Sequence, residues 1–190
     1  MNRAQQLDAE LDRERRTIRT DKVDVTWGQL ATMYEDGELR IQPAYQRLFR
    51  WSLSQKTRFI ESILLGLPLP ALFVAEDENG VWELVDGLQR VSTVLEFMGV
   101  LRDANGTRLP PFQASFSSDP RLPALEGCTF DDLSLSARLW IKRASCRVEV
   151  IKTGSDPQMK FEVFERLNTG GSGLTEQEVR NCIFRSIDPN

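Results

Sequence analysis

Histidine does not occur in this chain of 190 residues. Its absence excludes Ser-His-Asp and Cys-His nucleophilic catalysis, an HNH nuclease centre and any histidine-ligated metal within these residues. Cysteine is scarce as well, because the chain has only three, they form no CxxC pair, and an odd number cannot all be joined within one chain. We therefore expect buried free thiols in a reducing compartment. The three thiols belong to Cys128, Cys146 and Cys182.

Long apolar runs and a surplus of basic charge are also missing. The longest apolar stretch, residues 62–75, is interrupted by Gly66, Pro68 and Pro70 and is shorter than the ~20 residues that cross a bilayer. Residues 1–24 carry six basic and six acidic side chains, unlike the apolar core of a signal peptide. The net charge of -4 excludes a globally basic coat for nucleic acid but not a local basic groove. We expect a soluble, cytoplasmic protein with no membrane partner.

The residues that are present predict an α+β fold, in which a small mixed sheet is flanked by helices. Residues 1–24 have the pattern of a charged helical extension with a thin apolar stripe at Leu7, Leu11 and Ile18. Such a stripe is too narrow for a core helix, so the extension is expected either to dock or to be solvated. Residues 25–190 are expected to form one domain.

Capping boxes and turn signals place the predicted elements along this domain. Thr26 with Gln29 and Ser52 with Gln55 each match the capping box that begins a helix. A polar turn that ends in Asn79-Gly80 joins two apolar runs and predicts a β-hairpin. In chain order the predicted elements are helices from Thr26 to Gly37 and from Ser52 to Gly66, strands at 71–75 and 81–85, a helix from Leu88, a hairpin at Asn105-Gly106, an irregular connection over 110–123, a helix over 134–140, a strand at 147–151, a helix over 156–168 and a last helix from Thr175.

The segment Leu84-Val85-Asp86-Gly87-Leu88-Gln89-Arg90 carries the strongest chemical signal. An apolar strand ends at an acid, a glycine permits a tight turn, and a helix begins at once, so free backbone N–H groups can bind phosphate. Gln89 and Arg90 would add an amide donor and a guanidinium for phosphate oxygens. Asp86 is placed to hold Mg²⁺ or to orient a neighbouring arginine. The alternative is a plain strand–turn–helix in which Asp86 only caps the helix, because short glycine motifs are weak signals.

A second feature is the basic and aromatic stretch over residues 40–60, which contains no acidic residue. Positive charge suits phosphate and aromatic faces suit bases, so the stretch is typical of a surface for a nucleotide or a DNA strand. The alternative is a helix flank whose aromatic residues belong to the core and whose basic side chains extend along it. The basic residues are Arg40, Arg47, Arg50, Lys56 and Arg58, and the aromatic residues are Tyr45, Phe49, Trp51 and Phe59.

Four motifs together carry a resemblance to a known family that none of them carries alone. The Asn168-Thr169-Gly170-Gly171 motif, for example, is by itself an ordinary helix C-cap. Their order and spacing over about residues 41–181 resemble the N-terminal domain family of GmrSD-type modification-dependent restriction enzymes, which is related to the SspE anti-phage proteins. The motifs are Pro43-x-Tyr45-Gln46-Arg47-x3-Trp51, Glu61-Ser62-Ile63-Leu64-x-Gly66-x-Pro68-x-Pro70, Asp86-Gly87-Leu88-Gln89-Arg90 and Phe164-x3-Asn168-Thr169-Gly170-Gly171.

The resemblance implies a ParB/sulfiredoxin-like domain that binds and hydrolyses nucleoside triphosphates, with Mg²⁺ expected as cofactor. In such families, nucleotide hydrolysis regulates a nuclease, commonly an HNH domain, in defence against phage DNA. We expect that nuclease on another part of a longer protein or on a partner, and only weak DNA binding by this domain alone. The residues implied are Asp86, Gln89 and Arg90 for hydrolysis, Tyr45, Gln46, Arg47, Gly87, Arg90 and Asn168 for nucleotide and phosphate binding, and Asp86 for the metal.

Leu88 departs from the family motif, which usually has glutamine at this position. If that glutamine positions the attacking water or a phosphate, turnover in this chain is expected to be slow or absent. Two orientations of Leu88 are open. It can face the pocket, which we favour because phosphates should lie at the first helical turn, or it can turn inward and extend the core with Val91 and Leu95.

The functional hypothesis is a Mg²⁺-assisted nucleoside triphosphatase of a defence system, in which Arg90 and Arg47 line one anionic pocket. Amide, carboxylate and guanidinium groups suffice for phosphoryl transfer without histidine, because the protein need only position groups and stabilise charge. The alternative is a module that binds nucleotide or DNA without hydrolysis and scaffolds a partner nuclease. DNA cleavage by this chain is not expected, because a two-metal nuclease needs several converging carboxylates and only Asp86 stands in a motif.

Overall fold

A computed structural model of the chain describes residues 3–15, 19–41 and 51–152. The five strands of its sheet are β1 (Thr20–Thr26), β2 (Leu39–Arg40), β3 (Leu72–Glu76), β4 (Trp82–Asp86) and β5 (Ser145–Ile151). The α-helices within the described ranges are α1 (Arg3–Arg15), α2 (Trp27–Glu35), α3 (Leu53–Leu64), α4 (Leu88–Phe97) and α5 (Leu135–Arg143). None of these helices combines the length and the apolar character that a membrane span requires. The mixed sheet and its helices confirm the α+β prediction, and the ParB/sulfiredoxin-like label stays a prediction.

The sheet is mixed, with the strand order β1-β5-β3-β4-β2. The pairs β1/β5 and β3/β4 are antiparallel, whereas β3/β5 and β2/β4 are parallel. Thr26 therefore pairs with Ser145, and Asp86 pairs with Phe73 near the beginning of β3. The end of β4, the end of β1 and the beginnings of β3 and β5 consequently share one end of the sheet. We call this the Asp86 end.

The core is one cluster of buried side chains contributed by α2, α3, α4 and α5 and by all five strands of the sheet. Val91, Val94, Leu95 and Phe97 are fully buried on α4. Ser92 and Thr93 are buried as well, so this helix is enclosed on more than one face. β5 buries Cys146, Val148 and Val150 at alternate positions, as a strand with one core face does. Burial in the core thus sets which side of β5 points inward and holds α4 in place. Helix α4 begins at the Asp86 end.

Both predicted capping boxes are confirmed. The Thr26 hydroxyl accepts a hydrogen bond of 3.2 Å from the Gln29 backbone N–H, and the Gln29 side chain accepts one of 2.8 Å from the Thr26 backbone N–H. Ser52 and Gln55 make the same reciprocal pair at 3.3 and 2.8 Å. The predicted hairpin is present as β3 and β4, and the turn at 105–106 carries one isolated antiparallel bridge between residues 102 and 108. The helices predicted over 156–168 and from Thr175 lie outside the described residues.

The prediction of helix up to residue 24 was wrong at its end. Helix α1 ends at Arg15, and residues 20–26 form β1, which pairs with β5 along its whole length. Val23 and Val25 alternate with charged residues, and this period of two is the strand pattern that the preceding helical charge pattern obscured. The sheet therefore includes residues 20–24, which were assigned to the extension.

Candidate functional site

The turn between β4 and α4 is held in a conformation that only glycine accommodates easily. Gly87 has φ +101 and is the N-cap residue of α4, a backbone region that costs residues with a Cβ ~1–2 kcal/mol. A Cβ on Gly87 would also lie 2.3 Å from Cδ2 of Leu72, well inside van der Waals contact. As the N-cap residue, Gly87 has no side chain with which to bond the backbone N–H groups of the first turn. Asp86 is therefore not the cap.

Arg90 lies one turn into α4 and joins three parts of the Asp86 end. Its Nη2 donates a hydrogen bond of 2.9 Å to Oδ2 of Asp86. Its Nη1 donates to the backbone carbonyl of Pro70 and, at 3.2 Å, to that of Ala71. Only 14% of the Arg90 side chain is exposed. Both terminal nitrogens of the guanidinium are therefore bonded within the protein.

The charge of Arg90 sits in a partly desolvated environment. Burial lowers the pKa of Arg90 from its ordinary value, and the Asp86 carboxylate opposes this shift. Cys146 on β5 is buried nearby, and burial raises the pKa of its thiol to about 12 although the charge of Arg90 acts in the other direction. The Cys146 thiol is thus neutral at physiological pH. The prediction of buried free thiols is confirmed for Cys146, whereas the free thiol of Cys128 is only half-buried and Cys182 lies outside the described residues.

Asp86 uses one carboxylate oxygen for Arg90, and its side chain is partly exposed. About a third of its side chain is exposed, and Oδ1 receives no hydrogen bond from a described residue. Asp86 therefore has the arginine-orienting geometry and can still contact a cation through one oxygen. In the described part of the chain, no group of three or more acidic or cysteine side chains could together hold a metal ion.

Gln89 ties α4 to the chain that follows the Tyr-Gln-Arg motif. Its side-chain carbonyl oxygen accepts a hydrogen bond of 3.1 Å from the backbone N–H of Trp51. On the other side of residues 42–50, Arg40 pairs with Glu83 on β4, three residues before Asp86. Both described ends of that segment thus lie beside β4 and α4. The motif residues Tyr45, Gln46 and Arg47 are outside the described residues, as are Phe164 and Asn168, and their roles stay predictions.

Leu88 is half-buried and packs against the hydrophobic core. This contact favours the inward orientation over the pocket-facing one that the sequence led us to prefer. The reason is the neighbouring turns of the same helix, because Val91 and Leu95 are buried on that face. Leu88 therefore belongs at least partly to the core.

The basic residues of α3 are bonded within the protein. Lys56 forms an ion pair of 2.6 Å with Glu96 on α4, with both side chains about 14% exposed or less. Arg58 donates to Glu61 at 3.0 Å and to the backbone carbonyl of Asp119 at 2.8 Å. Phe59, which follows Arg58, is buried. For this helix the structure shows the flank alternative. Arg40, by contrast, is 62% exposed with a 3.5 Å contact to Asp77.

Glu61, in the second motif, is a buried carboxylate with several donors. It accepts hydrogen bonds from the backbone N–H groups of Arg121 at 2.6 Å and Leu122 at 2.8 Å, as well as from Arg58. Burial would raise the pKa of Glu61, but these donors together hold the pKa below its ordinary value. Glu61 therefore fastens the connection around residue 121 to α3.

Sequence reasoning missed the backbone partners of the Asp86 end. Two carbonyl oxygens, of Pro70 and Ala71, accept from Arg90, and the Leu72 side chain excludes any larger residue at Gly87. Backbone acceptors nineteen and twenty residues away in the chain leave no local pattern. The sequence feature nearest to these acceptors is the Gly66-x-Pro68-x-Pro70 motif. It ends just before β3, and its last residue, Pro70, accepts the hydrogen bond from Arg90.

Comparison with known proteins gives one family. A family model described as the N-terminal domain of the GmrSD restriction endonuclease matches residues 28–185. The matched range contains the Asp86–Arg90 turn and the stretch over residues 40–60. No curated protein and no solved structure matches the chain.

Proposed function

Because the chain belongs to the family of GmrSD restriction endonuclease N-terminal domains, we propose that it binds and hydrolyses nucleoside triphosphates to regulate a nuclease. Membership by itself makes the chain a component of a restriction system, whose full protein implies a nuclease domain and DNA as partners. The nucleotide chemistry is the part that we add. It rests on the geometry of the Asp86–Arg90 turn.

The open N-terminus of α4 is the observation that carries this proposal. Gly87 turns the chain with φ +101 and, as the N-cap residue, makes no side-chain hydrogen bond to the first turn. Two features then coincide at one point: the positive end of the helix dipole and a glycine with no Cβ in the way. A triphosphate is the ligand chemistry that such a turn binds best, within a family whose motifs include this turn.

Mg²⁺ fits this turn through a single carboxylate. Mg²⁺ is usually held in nucleotide sites by one or two carboxylates together with substrate phosphates, and Asp86 has one oxygen that no described residue uses. A bound Mg²⁺ would neutralise charge on the phosphates. Asp86 itself has two tasks in this proposal, because its other oxygen keeps Arg90 in place.

Arg90 supports the site by holding its shape rather than by binding phosphate. Its terminal nitrogens already donate to Asp86 and to two backbone carbonyls, so a phosphate contact would require giving up a bond inside the protein. We assign the cationic contact to Arg47, which the Tyr-Gln-Arg motif predicts. Arg90 fixes the orientation of Asp86 and the start of α4.

A second candidate is the module that binds nucleotide without hydrolysis. The observation that favours it is Leu88, which packs on the core at a position where the family usually has glutamine. If that glutamine is needed for the attacking water, this chain binds a triphosphate and does not turn it over. The same site then acts as a sensor that scaffolds the nuclease.

A phosphate-release assay with ATP, GTP, CTP and UTP, with and without DNA, tests the proposal. We expect Mg²⁺-dependent release that Asp86→Asn abolishes and that Asp131→Asn, at an 86% exposed side chain, leaves unchanged. Equilibrium binding of the same nucleotides is measured in parallel. Saturable binding without release selects the sensor, and the absence of binding for all four nucleotides overturns both candidates.

A further inference from the structure

Strand β1 forms one edge of the sheet in the described part of the chain, with β5 as its neighbour. It is seven residues long, whereas β2 at the opposite edge has two residues. Residues 20–22 and 24 are exposed to solvent. An exposed edge strand presents unpaired backbone N–H and C=O groups, to which another strand can add. β1 is therefore the edge of this sheet at which a further strand can pair over several residues.

The hydrogen bonds at the two ends of β1 show which of its backbone groups point outward. The Arg19 carbonyl accepts from the Lys152 backbone N–H at 2.8 Å, and the Trp27 backbone N–H donates to the Ala144 carbonyl at 3.1 Å. Both pairs continue the β1/β5 register, so the odd-numbered residues between them bond to β5. The even-numbered residues of β1 consequently direct their N–H and C=O groups away from the sheet.

The side-chain charges of β1 match those of a second copy of β1 in one register. Lys22 and Asp24 lie on the same face of the strand, on either side of Val23. If two β1 strands pair in antiparallel fashion about Val23, each Lys22 stands opposite the Asp24 of the other copy, and outward-directed residues oppose each other as the backbone bonds require. Centring the pair on Lys22 or on Asp24 would place like charges opposite each other, which is destabilising.

Strand β5 extends this match across the sheet. Glu149 lies opposite Lys22, with an ion pair of 3.3 Å, and Arg147 lies opposite Asp24, with a hydrogen bond of 3.1 Å. In the joined sheets, the charges along one row would therefore alternate in the order Glu149, Lys22, Asp24 and Arg147, the last two from the second copy. Charged residues usually keep an edge strand from pairing with other strands, but here they complement a copy of the same chain.

We propose that two copies of this chain associate through antiparallel pairing of their β1 strands, with the two-fold axis beside Val23. The contact is isologous, because the same residues serve on both sides, and it joins two five-stranded sheets into one. Val23, which is half-buried and packs against the core, lies beside its counterpart at the centre. This inference concerns assembly and does not depend on the nucleotide chemistry.

The dimer should be weak and reversible. A pair of seven-residue strands buries less surface than a standard protein interface, and one outward donor has to change its acceptor. In the single chain the Lys22 N–H donates to the Asp21 carboxylate at 2.8 Å, and pairing replaces this acceptor by the Asp24 carbonyl of the second copy. The Thr26 N–H takes no part, because it donates to Gln29 at 2.8 Å in the capping box.

Analytical ultracentrifugation of the full chain over a range of concentrations tests the inference, and we expect a reversible monomer–dimer equilibrium. Lys22→Asp places two carboxylates opposite each other at each contact, and Asp24→Lys places two ammonium groups there. Each variant should weaken the dimer by at least about tenfold. The matched control is Arg40→Glu, which should leave association unchanged, because Arg40 is 62% exposed on β2 at the opposite edge of the sheet. Circular dichroism verifies that each variant is folded.

Mixing Lys22→Asp with Asp24→Lys separates strand pairing from a general effect of charge. In a heterodimer about Val23, the new carboxylate at position 22 of one chain faces the new ammonium at position 24 of the other, and the second contact keeps its natural Lys22–Asp24 pair. The mixture should therefore form heterodimers at concentrations at which each variant alone is monomeric. A mixture that stays monomeric overturns the inference, and so does a dimer that survives both substitutions.

Amide hydrogen exchange of the natural chain gives a readout that needs no substitution. Exchange at the outward N–H of Asp24 should slow as the dimer forms, whereas exchange at Val23, whose N–H bonds to β5 in both states, should not change. A chain that is monomeric at every concentration overturns the inference. Protection of the Asp24 amide in that monomer would show that the chain's own residues cover the edge.

Discussion

The Arg90 guanidinium donates a hydrogen bond of 2.9 Å to the Asp86 carboxylate across the glycine that starts α4. The two residues are four apart in the chain, yet Asp86 belongs to a strand and Arg90 to a helix. The same guanidinium reaches the carbonyl oxygens of Pro70 and Ala71 before β3. A motif that suggests a ligand contact in the sequence is therefore also an internal brace for the turn.

Removing this brace should destabilise the protein without any nucleotide present. Arg90→Ala leaves two carbonyls and one carboxylate oxygen without their donor, which we expect to lower the free energy of unfolding by ~2–3 kcal/mol. Arg90→Lys should recover little, because an ammonium cannot reproduce the fork. Urea unfolding measures both. In a double-mutant cycle with Asp86→Ala, the coupling should be ~1 kcal/mol or more, and additive effects would contradict the assignment.

Gly87→Ala should be more damaging than the same change at another turn glycine. Gly80 also has a positive φ, of +80, but a Cβ there would meet nothing within 4 Å, whereas at Gly87 it would meet Leu72 at 2.3 Å. We expect Gly80→Ala to cost ~1 kcal/mol through backbone strain alone. Gly87→Ala should cost ~1–3 kcal/mol more, because the core must also shift. Equal unfolding midpoints in thermal melts would show that Leu72 can move away.

Leu88→Gln introduces the residue that the family usually has. Because Leu88 packs against the core, we expect the variant to lose ~1–2 kcal/mol of stability through the buried amide and to gain no turnover. Thermal unfolding and phosphate release on the same preparation measure both quantities. Faster phosphate release with an unchanged melting temperature would show instead that position 88 faces the nucleotide.

The free energy of unfolding should decrease at acidic pH partly because Glu61 becomes protonated. Its pKa is held below the ordinary value of 4.5 by backbone donors and Arg58, against the effect of burial. A lowered folded-state pKa means that the contribution is complete above the unfolded-state pKa and is lost as the pH falls through the folded-state pKa. Glu61→Gln should therefore be less stable than the natural chain at pH 7, and the difference should shrink below about pH 4.5.

The control for Glu61 is Asp131→Asn, since 86% of that side chain is exposed. It should leave the pH dependence of the urea midpoint unchanged. A Glu61→Gln variant whose difference from the natural chain stays constant from neutral to acidic pH would mean that the Glu61 carboxyl titrates alike in the folded and unfolded states.

DNA binding by this domain should be weak, with a steep salt dependence, and should not use the basic residues of α3. Lys56 is paired with Glu96 at 2.6 Å, whereas Arg40 is 62% exposed. Arg40→Ala should reduce the slope of log affinity against log salt concentration by ~1, and Lys56→Ala should leave that slope unchanged. Fluorescence anisotropy with a duplex at several salt concentrations measures both. A Lys56→Ala variant with the smaller slope would show that the ion pair opens for phosphate.

The local structure of this protein follows from residues that are close together in the chain. The capping boxes at Thr26 and Ser52 and the hairpin at Asn79-Gly80 were predicted and are present, because each depends on residues three or four apart in the chain. The strand–turn–helix at Gly87 was predicted from the sequence for the same reason. The order and spacing of the four motifs were enough to identify the family.

Which side chains remain available for a ligand depends instead on contacts that form when the chain folds. A basic residue has the same charge whether it contacts a phosphate or an acidic residue of the protein, so charge in the sequence does not distinguish the two. In the structure the basic residues of α3 and α4 are paired: Lys56 with Glu96, Arg58 with Glu61 and Arg90 with Asp86. Lys56 pairs with a residue 40 positions away, and Arg58 also donates to a carbonyl 61 positions away. Arg58–Glu61 and Arg90–Asp86 are only three and four residues apart, but no local pattern encodes the distant carbonyl acceptors of these two arginines. The strand over residues 20–24 was hidden likewise, since a charged edge strand forms only when β5 is there to pair with it. Long-range hydrogen bonds and burial, which depend on the assembled core, made these choices.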